Sequence, residues 1–148
     1  MTRIIGIGNP LMGDDGLGIA AVERLARLDL PKGVEVMDGG TGGLTLLHLM
    51  EGAARVLFID AVEMGQPPGC IARFDLGGVE VAEQSALSLH ESGLPQILAL
   101  ARELGPLPEV ILYGVQPARV APALELSPRV AEALPALLAR ILGELAQS

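Results

Sequence analysis

Three apolar runs in this chain each lead to aspartate. Arg55-Val-Leu-Phe-Ile-Asp60 ends on Asp60, and Val34-Glu-Val-Met-Asp38 ends on Asp38 and continues as Gly39-Gly40-Thr41-Gly42-Gly43. The run from Arg3 to Gly8 passes through Asn9-Pro-Leu-Met-Gly13 to the pair Asp14 and Asp15, then Gly16-Leu-Gly18. Carboxylates gathered in one place can hold a divalent cation, position a water molecule or accept its proton. Each also has a plainer reading. Asp14 and Asp15 could cap a helix and complement its dipole, and Asp38 or Asp60 could accept a turn hydrogen bond. For Asp38 the turn weighs at least as much as a catalytic role, whereas Asp60, after four apolar residues, is read as functional.

Only two histidines are available, His48 and His90. His48 lies in Leu46-Leu-His-Leu-Met50, where a locally bonded histidine at a core edge is expected. His90 lies in Leu87-Ser-Leu-His-Glu-Ser-Gly93, a polar turn before a helix, from which an imidazole can project into a site. Two carboxylates and one imidazole suit a borderline divalent metal, with the remaining positions left to water or a partner. Cys70 is the single cysteine, so neither an internal disulfide nor a cysteine metal cluster is expected within one chain; it is read as a buried, inert thiol. The glycine-rich turn invites comparison with a phosphate loop. Two adjacent aspartates at the helix start would repel phosphate, however, and the spacing fits neither GxGxxG nor a Gly-Lys-Ser/Thr loop.

The elements that must position these residues follow from the pattern of apolar residues. Strands are expected at Arg3 to Gly8, Val34 to Asp38, Arg55 to Asp60, Cys70 to Asp75 and Val110 to Val115. Helical spacing marks Leu17, Ala21, Leu25 and Leu28, a weaker stretch from Leu44 to Met50, and Leu94, Ile97, Leu98, Ala101 and Leu104. It also marks a last helix opened by Ser127 as N-cap and Pro128 in the first turn, with Pro135 as a candidate kink. Strands alternating with helices predict an α/β fold of three layers, αβα, around a mainly parallel, possibly mixed, five-stranded sheet. Ligands bind such sheets beyond the carboxyl ends of the strands.

Composition narrows the function classes. The 148 residues make one domain, 1–148, with no repeat or linker. Half of them are apolar, but Phe58, Phe74 and Tyr113 are the only aromatics, so the core must be aliphatic. The formal charge is -8 and the basic residues are scattered, which argues against a nucleic-acid partner. No apolar stretch reaches the ~18 residues of a membrane span, so no membrane insertion is expected. The N-terminus lacks a secretory pattern, and a cytoplasmic location is expected.

The ordered segments Gly8-Asn-Pro-Leu-Met-Gly-Asp-Asp-Gly-Leu-Gly18, Asp38-Gly-Gly-Thr-Gly42, Ile59-Asp60-Ala61, His90 before a helix and Gly114-Val-Gln-Pro117 resemble the motifs of the hydrogenase maturation endopeptidases. The resemblance spans nearly the whole chain. It implies an endopeptidase that recognises nickel in the large-subunit precursor of a nickel–iron hydrogenase and removes the precursor's C-terminal extension. Asp15, Asp60 and His90 fall on the family's metal-binding positions, Asp15 standing where the family carries Asp or Glu. Nickel would be supplied by the client, with none permanently bound. Asp15, Asp60 or Asp38 would serve catalysis by positioning water or taking its proton, and Gly39, Gly40, Thr41 and Gly42 would meet the substrate. Whether nickel activates the scissile carbonyl or only docks the client is left open, as is which carboxylate acts as base. Two other classes fit the same fold: a metal- or small-molecule-binding module, and a nucleotide-dependent enzyme.

Overall fold

The computed structural model describes residues 1–76 and 93–147. Its five strands are β1 (Thr2–Gly6), β2 (Val34–Asp38), β3 (Arg55–Ala61), β4 (Ile71–Asp75) and β5 (Glu109–Val115), in the spatial order β2-β1-β3-β5-β4. All pairs are parallel except β4 with β5. The sheet is therefore mixed and mainly parallel, the five expected strands lying within two residues of their expected bounds.

Alternation along the central strands builds two cores. Ile4, Leu57, Ile59, Ile111, Tyr113 and Val115 face one side with residues of α1 (Leu17–Leu25) and α4 (Pro128–Ala146). Ile5, Val56, Phe58, Val110 and Leu112 face the other with residues of α2 (Thr45–Met50) and α3 (Leu94–Leu104). A strand buried on both faces needs apolar residues at every position, which is why β3 and β5 read as continuous runs. Full burial of each such side chain contributes about 1.5–3 kcal/mol.

Topology then places the site. The chain leaves β1 through α1 to β2 on one side of it, and returns through α2 to β3 on the other. β1 and β3 thus flank a switch point where the loops that follow them diverge on opposite faces. A short 3₁₀ turn, Gly13–Gly16, sits at that point between β1 and α1 and packs against β3. The helices differ in detail from the expectation. α1 ends at Leu25 and leaves Leu28 44% exposed. α4 runs on through Pro135, which lies on its exposed face.

Candidate active site

Glycine lets the first turn of α1 press onto the strand ends. A Cβ on Gly18 would stand 2.3 Å from the carbonyl oxygens of both Ile7 and Ile59, so only a residue without a side chain fits there. The chain beyond β1 stays tied to both neighbours: the Ile7 N–H donates to the Ile59 carbonyl at 2.9 Å, and the Gly8 N–H to the Gly40 carbonyl at 2.8 Å. Gly6 pairs with Asp38 on one side and with Ile59 on the other. The Gly13–Gly16 turn, the start of the Gly39–Gly43 loop and Asp60 are thereby brought to one rim of the sheet, as the sequence suggested.

The aspartates on that rim differ sharply. Asp15 is half-buried, and its Oδ2 accepts the Asn9 N–H at 2.9 Å. Asp60 is buried at 4% exposure, in the alternation that Val56 and Phe58 follow toward the α2 and α3 side. Asp38 is exposed, and its Oδ1 accepts the Gly40 N–H at 2.7 Å, the turn bond anticipated as its plainer role. Gly40 takes φ 59°, a left-handed conformation suited to glycine, with open space where a side chain would stand.

Asp14 does not play the capping role that the sequence offered for it. Its carboxylate, 1% exposed, accepts the N–H groups of Ala118 at 2.8 Å, Arg119 at 2.9 Å and Ser127 at 2.7 Å, and the Ser127 hydroxyl at 2.8 Å. Burial alone would raise its pKa, but the bonds from Ser127, Arg119 and Ala118 outweigh it and hold the carboxyl below the usual aspartate value. Ser127 does precede α4, yet its hydroxyl serves Asp14 rather than the helix. Gln116 is a residue without an assigned role. Buried at 3% exposure, it accepts the Met64 N–H at 2.6 Å and donates to Glu63 at 2.8 Å, fixing the loop that follows Asp60. Its signals in the sequence were a glutamine closing a run of apolar strand residues and its place in the Gly114-Val-Gln-Pro117 segment.

Among the remaining candidates, His48 is an exposed residue of α2, 3.6 Å from Glu51, rather than a core-edge histidine. Leu46 and Met50 turn inward and leave position 48 on the outer face. Cys70 precedes β4 and is half-buried, not buried. His90 lies outside the described residues, so its expected ligand role has no geometry here. Gly93, the first described residue after it, lies beside the glycine loop: a Cβ there would come within 4.0 Å of the Gly43 Cα. Among the described residues, no three carboxylates, histidines or cysteines form a ready metal cluster. An apolar groove between α2 and the end of α3 opens at the opposite, strand-start end and includes none of these aspartates.

Fold and rim together define a three-layer αβα protein with an acidic strand-end site at the switch point of its sheet. Residues 19–144 match the hydrogenase maturation protease family (HycI), and the chain belongs to that family. It is 32% identical over 148 residues to the hydrogenase 2 maturation protease of Escherichia coli, covering 98% of this chain and 90% of that one. It is 38% identical over 120 residues to the hydrogenase expression/formation protein HoxM of Cupriavidus necator, where it spans 79% of this chain but only 59% of the relative's length. Its fold matches the hydrogenase maturating endopeptidase HybD from E. coli with a TM-score of 0.88 at 30% identity, over 99% of this chain and 92% of that chain.

Proposed function

We propose that this protein is an endopeptidase that removes the C-terminal extension from the large-subunit precursor of a nickel–iron hydrogenase, with nickel in the precursor as the signal for cleavage. The observation that carries this reading is the convergence of Asp15 and the buried Asp60 on one rim, through the Ile7–Ile59 bond and the fit of Gly18 between the two strand ends. Membership of the protease family supplies the class of reaction. The position of Gly93, three residues after His90 in sequence, beside Gly43 supports a contribution from His90.

In this reading the nickel belongs to the substrate, held by the precursor's own soft ligands. Asp15, Asp60 and His90 offer oxygen and nitrogen donors that complement such a client-borne ion without forming a closed site of their own. Water is the attacking group. One of Asp15, Asp60 and Asp38 orients it and takes its proton, while the glycine loop, with open space at Gly40, receives the substrate chain. The isolated protein holds no metal through chelation, and its place of action is the cytoplasm.

Incubating the protein with nickel-loaded and nickel-free precursor tests the proposal. The loaded precursor should be shortened by its C-terminal tail and the nickel-free one left intact. Cleavage of both forms at equal rates would remove nickel recognition from the reading, and cleavage of neither would remove the protease.

A further inference from the structure

The twelve residues from 116 to 127 between β5 and α4 form a long connection without a regular element of its own, yet it is closely tied to the Gly13–Gly16 turn. The Gly13 N–H donates to Ala123 at 2.9 Å, the Asp14 N–H to Arg119 at 3.0 Å, and the Ala123 N–H to Leu11 at 3.0 Å. Met12 and Ala123 form a parallel bridge. Against this lattice of main-chain bonds, Asp14 adds the only buried carboxylate in the turn, and it takes three N–H groups and one hydroxyl from both ends of the connection. Asp15 is the next residue, its own carboxylate held by the Asn9 N–H at 2.9 Å.

Resting on the functional reading above, we propose that Asp14 is a positioning residue of the site: its carboxylate locks the 116–127 connection onto the turn that carries Asp15, and so sets Asp15 and the wall beside it together. A carboxylate is the group this place requires. Asparagine has the same shape, but its amide nitrogen would face N–H donors in either orientation, toward Ala118 and Arg119 or toward Ser127. Alanine would leave all three N–H groups without that acceptor. Either change should free the connection while the sheet, whose cores do not include Asp14, stays assembled.

The test compares the wild type with Asp14→Asn, Asp14→Ala and Ser127→Ala in two measurements. In amide hydrogen exchange, the N–H groups of Ala118, Arg119 and Ser127 should exchange at least about tenfold faster in both Asp14 variants, while those of β3 and β5 keep their protection. With nickel-loaded precursor, kcat/KM per folded molecule should fall on the order of 100-fold for the Asp14 variants, through kcat as well as KM. Ser127→Ala, which removes one bond of the four, should lose about tenfold in the same direction and keeps the test open if the Asp14 variants fold poorly. Unchanged exchange at the three amides would overturn the clasp. Faster exchange with wild-type kcat and KM would show a stability anchor only and overturn the positioning role. Wild-type protein that leaves the loaded precursor intact would overturn the processing reading instead, and the positioning role with it, whatever the exchange shows.

Discussion

The two ends of the sheet handle charge in opposite ways. Toward the strand starts, carboxylates meet arginines: Arg55 opens β3 with Glu109 at 3.4 Å and is bonded to Glu144 of α4, which Arg73 from the middle of β4 also holds at 2.6 and 3.0 Å and to which Tyr113 of β5 donates at 2.5 Å. Arg73 is the main reason that Glu144 is lowered to about 2, despite burial, which raises it. At the strand ends, Asp14, Asp15 and Asp38 accept main-chain N–H groups instead. An arginine neutralises its carboxylate, whereas an amide holds the group in place and leaves its charge standing. The first arrangement serves stability, and the second leaves negative charge standing at the rim, where the proposed nickel-bearing precursor would meet it.

Substitutions at the two ends should therefore separate activity from stability. The largest effect belongs to the rim: Asp15→Ala, Asp60→Ala and His90→Ala should each lower cleavage of nickel-loaded precursor on the order of 10³-fold, measured by the rate of tail release, with melting temperature little changed for Asp15 and His90. Gly18→Ala comes next, at about 3 kcal/mol of stability in urea unfolding, because its Cβ would collide with two strand carbonyls. Glu144→Gln should cost about 2 kcal/mol by the same measurement and leave kcat/KM per folded molecule at the wild-type value.

The same glutamate contributes to the acid limb, as does Asp14, whose carboxyl is also held below its ordinary value. Since the folded pKa of Glu144 lies at about 2 against an ordinary 4.5, its contribution is full above 4.5 and is lost as pH falls from there toward 2. Urea midpoints of the wild type should decline over that range, and Glu144→Gln should flatten the decline. The smallest effect is His48→Ala. With its side chain 81% exposed, it should shift stability by less than about 0.5 kcal/mol and leave processing unchanged. Loss of cleavage in Glu144→Gln at full folding, or in His48→Ala, would blur the division between the two ends.

Much of this arrangement was legible in the chain. Runs such as Val56 to Ile59 announce a strand covered on both faces, and an aspartate directly after such a run marks a strand end. Local spacing could not distinguish Asp14 from Asp15, since both are adjacent acids before one helix. Their separate fates depend on groups more than a hundred residues away, at Ala118, Arg119 and Ser127. Ser127 misled for the same reason: a serine before a helix suits a cap, in which its oxygen accepts an N–H, but here its hydroxyl donates to the Asp14 carboxylate and makes no cap bond. The reversed direction of β4 is likewise settled by its pairing with β5, a contact no periodicity records.

The clasp at Asp14 also has a meaning in time. Its partners lie 104, 105 and 113 residues further along the chain. At roughly 5–20 residues per second, the ribosome delivers the Asp14–Asp15 turn on the order of ten seconds before Ser127 exists to hold it. Until then the acids are present on the emerging chain but their anchorage is not. The order of synthesis thus acts as a delay, with the turn that carries Asp15 tied down only after the segment that begins α4 has been made.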